Sequence, residues 1–225
     1  MKTKLIGCPS TKNEVVYLIS SLQIDYEFLE FNLHGFPKKL HKQLQNSINA
    51  SQEYDQIIIT YSRCSNILLG LLSQSASLIV PGTHDCISLL LGSDERRQAL
   101  SKKNLGTYYF SPGWLDYGRD PYQEYQEYVA RFGSKQADFL IKTLYGRYSE
   151  AVFINTYDSM DTDKYRERVW KIAAFFKWKV SEVKGNLSLL QDIINGRINS
   201  ASLYIPPGKP IILEDILGGL LCRSI

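Results

Sequence analysis

Apolar and polar positions along the chain fall into a repeating rhythm of short buried runs followed by amphipathic stretches. Lys4 to Cys8 reads as a buried strand and Val15 to Leu22 as a helix. Tyr26 to Leu33 alternates as a second strand and ends in the Leu33-His34-Gly35-Phe36-Pro37 turn, from which Lys38 to Ile48 continues as a helix. Asp55 to Thr60, with three consecutive isoleucines, is the clearest buried strand. A helix over Ile67 to Leu72 and a strand over Ala76 to Val80 follow. The second half repeats the rhythm less cleanly. It has a β-type run ending at Trp114, helical patterns from Pro121 to Tyr148 broken near Gly133, a strand over Ala151 to Asn155 and a helix over Tyr165 to Trp178. A strand over Val180 to Val183, a helix over Leu187 to Ile194 and a strand over Ala201 to Ile205 complete it.

Four strand–helix units in the first half imply an α/β fold built on a parallel, doubly wound sheet. The expected architecture is two similar Rossmann-like lobes with mostly parallel sheets and a cleft between them. Residues 1–105 would form the N-terminal lobe and 106–225 the C-terminal lobe. Four of the strand-and-turn junctions carry soft or titratable side chains: Cys8, His34, Cys64 and, in Leu78 to Leu91, the Thr83-His84-Asp85-Cys86 turn. Ligands gather at the carboxyl ends of strands in open parallel sheets.

Thiolate and imidazole are the donors that soft and borderline metals prefer. Adjacent strands lie about 4.8 Å apart, so neighbouring turns can share one ion. The expectation is a zinc ion or an iron–sulfur cluster held by Cys8, Cys64 and Cys86, with His34 as fourth ligand. His84 ranks below His34, and Asp85 reads as a helix N-cap. Arg63 beside Cys64 is a candidate for lowering that thiol's pKa or for binding an anionic ligand. Trp114 is a candidate cleft wall. His41 reads as exposed, the tyrosines 122, 125 and 128 as a packed helix face, and Cys222 as packing.

The totals change this picture little. A chain of 225 residues with 44% hydrophobic and 22% charged residues is an ordinary globular protein. A net charge of +3 without a basic stripe does not point to nucleic acid. No apolar run reaches the roughly 18 residues that span a bilayer, and the N-terminus lacks a signal-peptide core. The expected location is the cytoplasm, with reduced cysteines. No GxGxxG, Walker or GxSxG motif occurs, which argues against hydride transfer, P-loop chemistry and serine hydrolysis.

At Cys8-Pro9, Leu33-His34-Gly35-Phe36-Pro37, Tyr61-Ser62-Arg63-Cys64-Ser65, His84-Asp85-Cys86-Ile87 and Gly106-Thr107-Tyr108…Pro112-Gly113-Trp114, the chain resembles a prokaryotic domain family of unknown function. That family's pattern has glycines where Pro9, Ser62 and Ser65 stand here. Its members are often encoded near corrinoid-dependent methyltransferases. The resemblance therefore implies a corrinoid or one-carbon connection and a methyltransferase partner protein. Three functions are expected from these readings. The first is a metalloprotein, as an enzyme of alkyl or thiol transfer. The second is a non-catalytic cofactor-binding or metal-delivery module, and the third is thiol–disulfide exchange.

Overall fold

A computed structural model describes residues 1–157 and 162–216, so Cys222 lies outside the described residues. The strands are β1 (Thr3–Gly7), β2 (Asp25–Phe28), β3 (Gln56–Ile59), β4 (Ser77–Pro81), β5 (Thr107–Phe110), β6 (Glu150–Asn155), β7 (Lys179–Lys184) and β8 (Ser202–Ile205). The helices are α1 (Lys12–Ile19), α2 (Pro37–Asn49), α3 (Cys86–Leu91), α4 (Asp94–Lys103), α5 (Pro112–Tyr117), α6 (Pro121–Phe132), α7 (Ser134–Tyr145), α8 (Asp163–Phe176) and α9 (Ser188–Ile194). They build an α/β, Rossmann-like arrangement of two sheets. The first has the order β2-β1-β3-β4-β8 and the second β5-β6-β7. All pairings are parallel except β4 with β8.

The isoleucine run of β3 shows why the first sheet is buried on both faces. Ile57 and Ile59 join the core beneath α2, where Leu40, Leu44 and Ile48 recur at helical spacing. Ile58 points the other way, into a second core with Val15 of α1 and Leu189, Leu190 and Ile193 of α9. Each fully buried isoleucine contributes roughly 2 kcal/mol of transfer free energy. Under the second sheet, Phe110 and Phe153 pack on Tyr165, Val169 and Ile172 of α8.

Several expectations need correction. The strand β2 stops at Phe28, where its register with Gly7 of β1 ends, and a 3-10 helix over Phe31–Gly35 carries His34. No α-helix forms over 67–72, because Asn66 at φ 56 and Gly70 at φ 82 adopt left-handed backbone that a helix cannot continue. Trp114 sits in a short helix, α5, which Ser111 caps and Pro112 starts. Beyond residue 106, α9 packs on the first sheet and β8 pairs with β4. His41 is half-buried and its Nδ1 donates to Ile67 O at 2.9 Å.

The carboxyl ends of the two sheets meet across a cleft. Ser111, after β5, donates to Ser10 O at 3.5 Å, and Thr156, after β6, donates to Glu14 Oε1 at 2.9 Å. Asn186, after β7, donates its N–H to Leu90 O at 2.8 Å. Among the described residues no helix is long and apolar enough to cross a membrane.

Candidate functional site

The sheet order β2-β1-β3-β4 puts the following turns side by side, so His34, Cys8, Cys64 and Cys86 succeed one another along one rim. Cys8 directly follows β1 in extended backbone and precedes a 3-10 helix over Pro9–Thr11, with Pro9 at the first helical position. Its N–H donates to Thr60 Oγ1 at 2.9 Å, and Thr11 Oγ1 stands 3.2 Å from the same hydroxyl. Ser62 and Thr83 join the next two turns, hydroxyl to hydroxyl at 2.9 Å. Pro9 and Ser62 thus each take part in holding a turn of this rim.

The histidine tautomer follows from its neighbours. The His34 Nδ1 is 3.1 Å from Phe31 O, a group that only accepts, so Nδ1 carries the proton. The Nε2 lone pair is left facing Cys8 Sγ at 3.4 Å. The Cys8 thiol donates to it, and Ser10 Oγ lies 2.9 Å from the same sulfur. Burial pushes the Cys8 thiol up to about 12, against the pull of the Ser10 hydroxyl and N–H, and the nearby Cys64 adds to the rise. Burial also holds His34 below the usual histidine range. Both groups are thus neutral, and a thiolate–imidazolium pair of the kind that activates a nucleophilic cysteine does not form at neutral pH.

The other two thiols behave alike. Cys86 is raised well above the ordinary thiol value by burial and then by Cys8, Cys64 and Asp85, with Ser10 opposing. Cys64 is raised by burial and by Asp85. A negative charge on Cys64 raises Cys8, and one on Cys8 or Cys64 raises Cys86. The buried Tyr61 ring lies 5.9 Å from the His34 ring, and its hydroxyl has no partner among the described residues. Among those residues, however, no three His, Cys, Asp or Glu side chains are already grouped to hold an ion. The donor chemistry suits a soft metal, while a closed coordination shell is not preformed.

The remaining sequence candidates take definite places. Asp85 caps α3, accepting from Ser88 N at 2.8 Å. His84 is exposed, with its Nδ1 3.3 Å from Asp85 Oδ2, and its carbonyl accepts from Cys64 Sγ at 3.9 Å. Arg63 is occupied: its guanidinium donates to Asp94 Oδ2 at 3.1 Å, and to Thr83 O and Ile216 O at 3.3 Å each. Trp114 meets Phe31 edge-on at 4.8 Å, and Phe31 stacks on His34 at 5.1 Å, which links the rim to the cleft through aromatic contacts. Trp114 and Cys86 both line a cavity of about 330 Å³ between the sheets.

One buried acid escaped the sequence reading. Glu14, in the first turn of α1, is fully buried, with Oε2 unpartnered among the described residues. Burial lifts its pKa to about 7, offset in part by Thr156 and Gly113 and reinforced by Asp116. An acid in a first helical turn reads as a dipole partner facing water. Nothing local marks it as interior.

No protein of curated function and no solved structure matches the chain. A family model described as protein of unknown function (DUF1638) matches residues 28–194, a stretch that contains His34, Cys64, Cys86 and Trp114 and begins after Cys8. The match spans well over half of the chain, which therefore belongs to the DUF1638 family.

Proposed function

We propose that the Cys8–His34–Cys64–Cys86 rim captures a soft or borderline metal ion and that the protein is a metal-binding module. The observation that carries this reading is the Cys8–His34 contact at 3.4 Å, with the imidazole lone pair directed at the sulfur and two more thiols close enough to oppose its charge. A cation is the partner that relieves all of these groups at once, since a coordinated thiol loses its proton outright. Zinc suits the set better than an iron–sulfur cluster, which takes four thiolates where three cysteines stand on this rim. The lack of a preformed shell favours capture and delivery over a rigid structural site. Neutral, buried thiols also argue against thiol–disulfide exchange, which needs a thiolate. A cavity of about 330 Å³ is at the small end for organic ligands, so a corrin ring would not be buried inside it.

The test is a cadmium(II) titration of reduced, oxygen-free protein, followed through the ultraviolet absorbance of cadmium–thiolate bonds, with zinc as competitor. Stoichiometric binding that zinc displaces is expected, weakened by about tenfold or more in both Cys8→Ser and Cys64→Ser. A missing thiolate band, or one that neither substitution changes, would overturn the reading.

A further inference from the structure

The cavity beside the rim owes its shape to an unpaired strand. In the second sheet β5 pairs only with β6, so its other side is an edge. The Gly106 carbonyl accepts from Ser149 N at 2.8 Å and Glu150 N at 3.1 Å and so faces β6. Main-chain groups alternate along a strand, which turns Tyr108 and Phe110 to β6 and leaves the N–H and C=O of Thr107 and Tyr109 on the free side. Among the described residues no strand pairs with this edge. An unpaired edge usually meets solvent, charge or a covering loop. Here it meets a cavity of about 330 Å³ lined by all four residues of β5.

The walls continue the two faces of that strand. On one face Tyr108 packs with Trp114 and Tyr148; on the other Tyr109 packs with Ile87, Leu90 and Ile154. All of these line the cavity. The empty space is therefore a slot in the plane of the sheet, apolar and aromatic above and below, with peptide donors and acceptors along one side. A flat molecule fits such a slot, and the peptide edge selects one that offers a donor and an acceptor next to each other. The guanidinium of Arg97 lies over the Tyr109 ring at 5.0 Å with Asp85 Oδ2 3.4 Å from its Nε, an ion pair without a hydrogen bond at Nε among the described residues, so the charge at that end of the slot is balanced and calls for no anionic group.

We propose that this cavity binds an uncharged, flat heterocycle of one or two rings bearing a lactam-type edge, read by the main-chain N–H and C=O of Tyr109 and stacked between the aromatic and aliphatic walls. The proposal does not rest on the metal-capture reading, although Cys86 of the rim lines the same cavity, and it needs no ion. Backbone groups on a rigid strand, with apolar walls, are the usual means by which a small pocket fixes ligand orientation.

The probe is 2-quinolone, a bicyclic lactam, compared by calorimetry with quinoline, which lacks the N–H, and N-methyl-2-quinolone, whose donor is blocked. Saturable binding of 2-quinolone is expected, about tenfold tighter than either analogue, the worth of one or two hydrogen bonds in a dry site. Filling the slot from its half-buried wall with Ile87→Trp should abolish binding while the unfolding transition stays cooperative. Trp114→Ala, which removes the opposite wall, should weaken it without filling the space. Equal affinity for the three compounds, no saturable binding of 2-quinolone, or binding that survives Ile87→Trp would each overturn the proposal.

Discussion

The thiol rim and the seam around Glu14 meet at the passage from β1 to α1, where Cys8 follows the strand and Glu14 stands in the first turn of the helix, yet they bury ionisable groups to different ends. At the rim, Cys8, Cys64 and Cys86 are held as neutral thiols, and a neutral thiol packs almost as a small hydrophobe. At the seam a single carboxyl is buried between α1, Thr156 and Gly113, neutral only while the pH stays below about 7. On the proposed reading a soft metal relieves the suppressed charge of the rim, with Cys8, His34, Cys64 and Cys86 as its donors. The seam offers Glu14 the Thr156 hydroxyl and backbone N–H groups, its own and that of Gly113, while the nearby Asp116 carboxylate opposes its charge. The buried thiols of the rim and the buried carboxyl between the two sheets thus look similar by accessibility and differ in what surrounds them.

The sharpest way to separate the two regions is pH. Metal capture at the rim must displace protons from thiols raised above their ordinary value, so affinity should climb as pH rises. Each displaced proton gives about tenfold per pH unit, so displacing even two of the three thiol protons gives about ten-thousand-fold between roughly pH 6 and pH 8, or about 5.5 kcal/mol. Competition against a chelator of known pH dependence measures this. An affinity flat across that range would mean that the thiols are not the ligands.

Glu14 should act with the opposite sign and a smaller size. Its folded pKa of about 7 exceeds its ordinary 4.5, so the folded protein holds a proton that the unfolded chain gives up in between. Its contribution is therefore fully present below about 4.5 and is lost as pH rises through about 7, a change of about 3 kcal/mol. Urea unfolding in steps from mildly acid to mildly alkaline buffer should show the decline, and Glu14→Gln should remove most of it. A Glu14→Gln protein with the same pH slope as the parent would place the titration elsewhere.

How much of this was legible before folding depends on range. The isoleucines of β3 announce a buried strand because a run with no polar alternation has no other stable use. That the turns after β1, β3 and β4 lie side by side followed from the strand ends, since parallel neighbours bring their turns together whatever the intervening sequence. The match to one side of the sheet of β8 did not follow: Ser202–Ile205 has an ordinary strand pattern, and its antiparallel pairing with β4 is a choice of partner made in three dimensions. Arg63 illustrates the same limit. Beside Cys64 in sequence it suggests a charge for the thiol, while in the fold its guanidinium serves Asp94 and two carbonyls. Glu14 was hidden for a third reason, because the far lobe buries it and α1 does not.

The smallest of these effects bears most directly on whether the seam is closed. A Cβ placed on Gly113 would stand 2.6 Å from Ser10 O and 2.9 Å from Glu14 Oε2, both on the opposite lobe. The first is backbone and cannot swing away, so Gly113→Ala forces the lobes apart or displaces α5 from its cap. Overpacking of this kind costs about 2 kcal/mol. Gly35→Ala is the matched control, because a Cβ there meets nothing within 4 Å and the change should stay within about 0.5 kcal/mol. Midpoints of urea unfolding compare the two on one scale. Widening the seam should also admit water to Glu14 and lower its pKa, so the Gly113→Ala protein should lose part of the pH slope as well as stability. If Gly113→Ala is as harmless as Gly35→Ala and keeps the full slope, the lobes do not press together at α5, and the buried carboxyl would need another explanation.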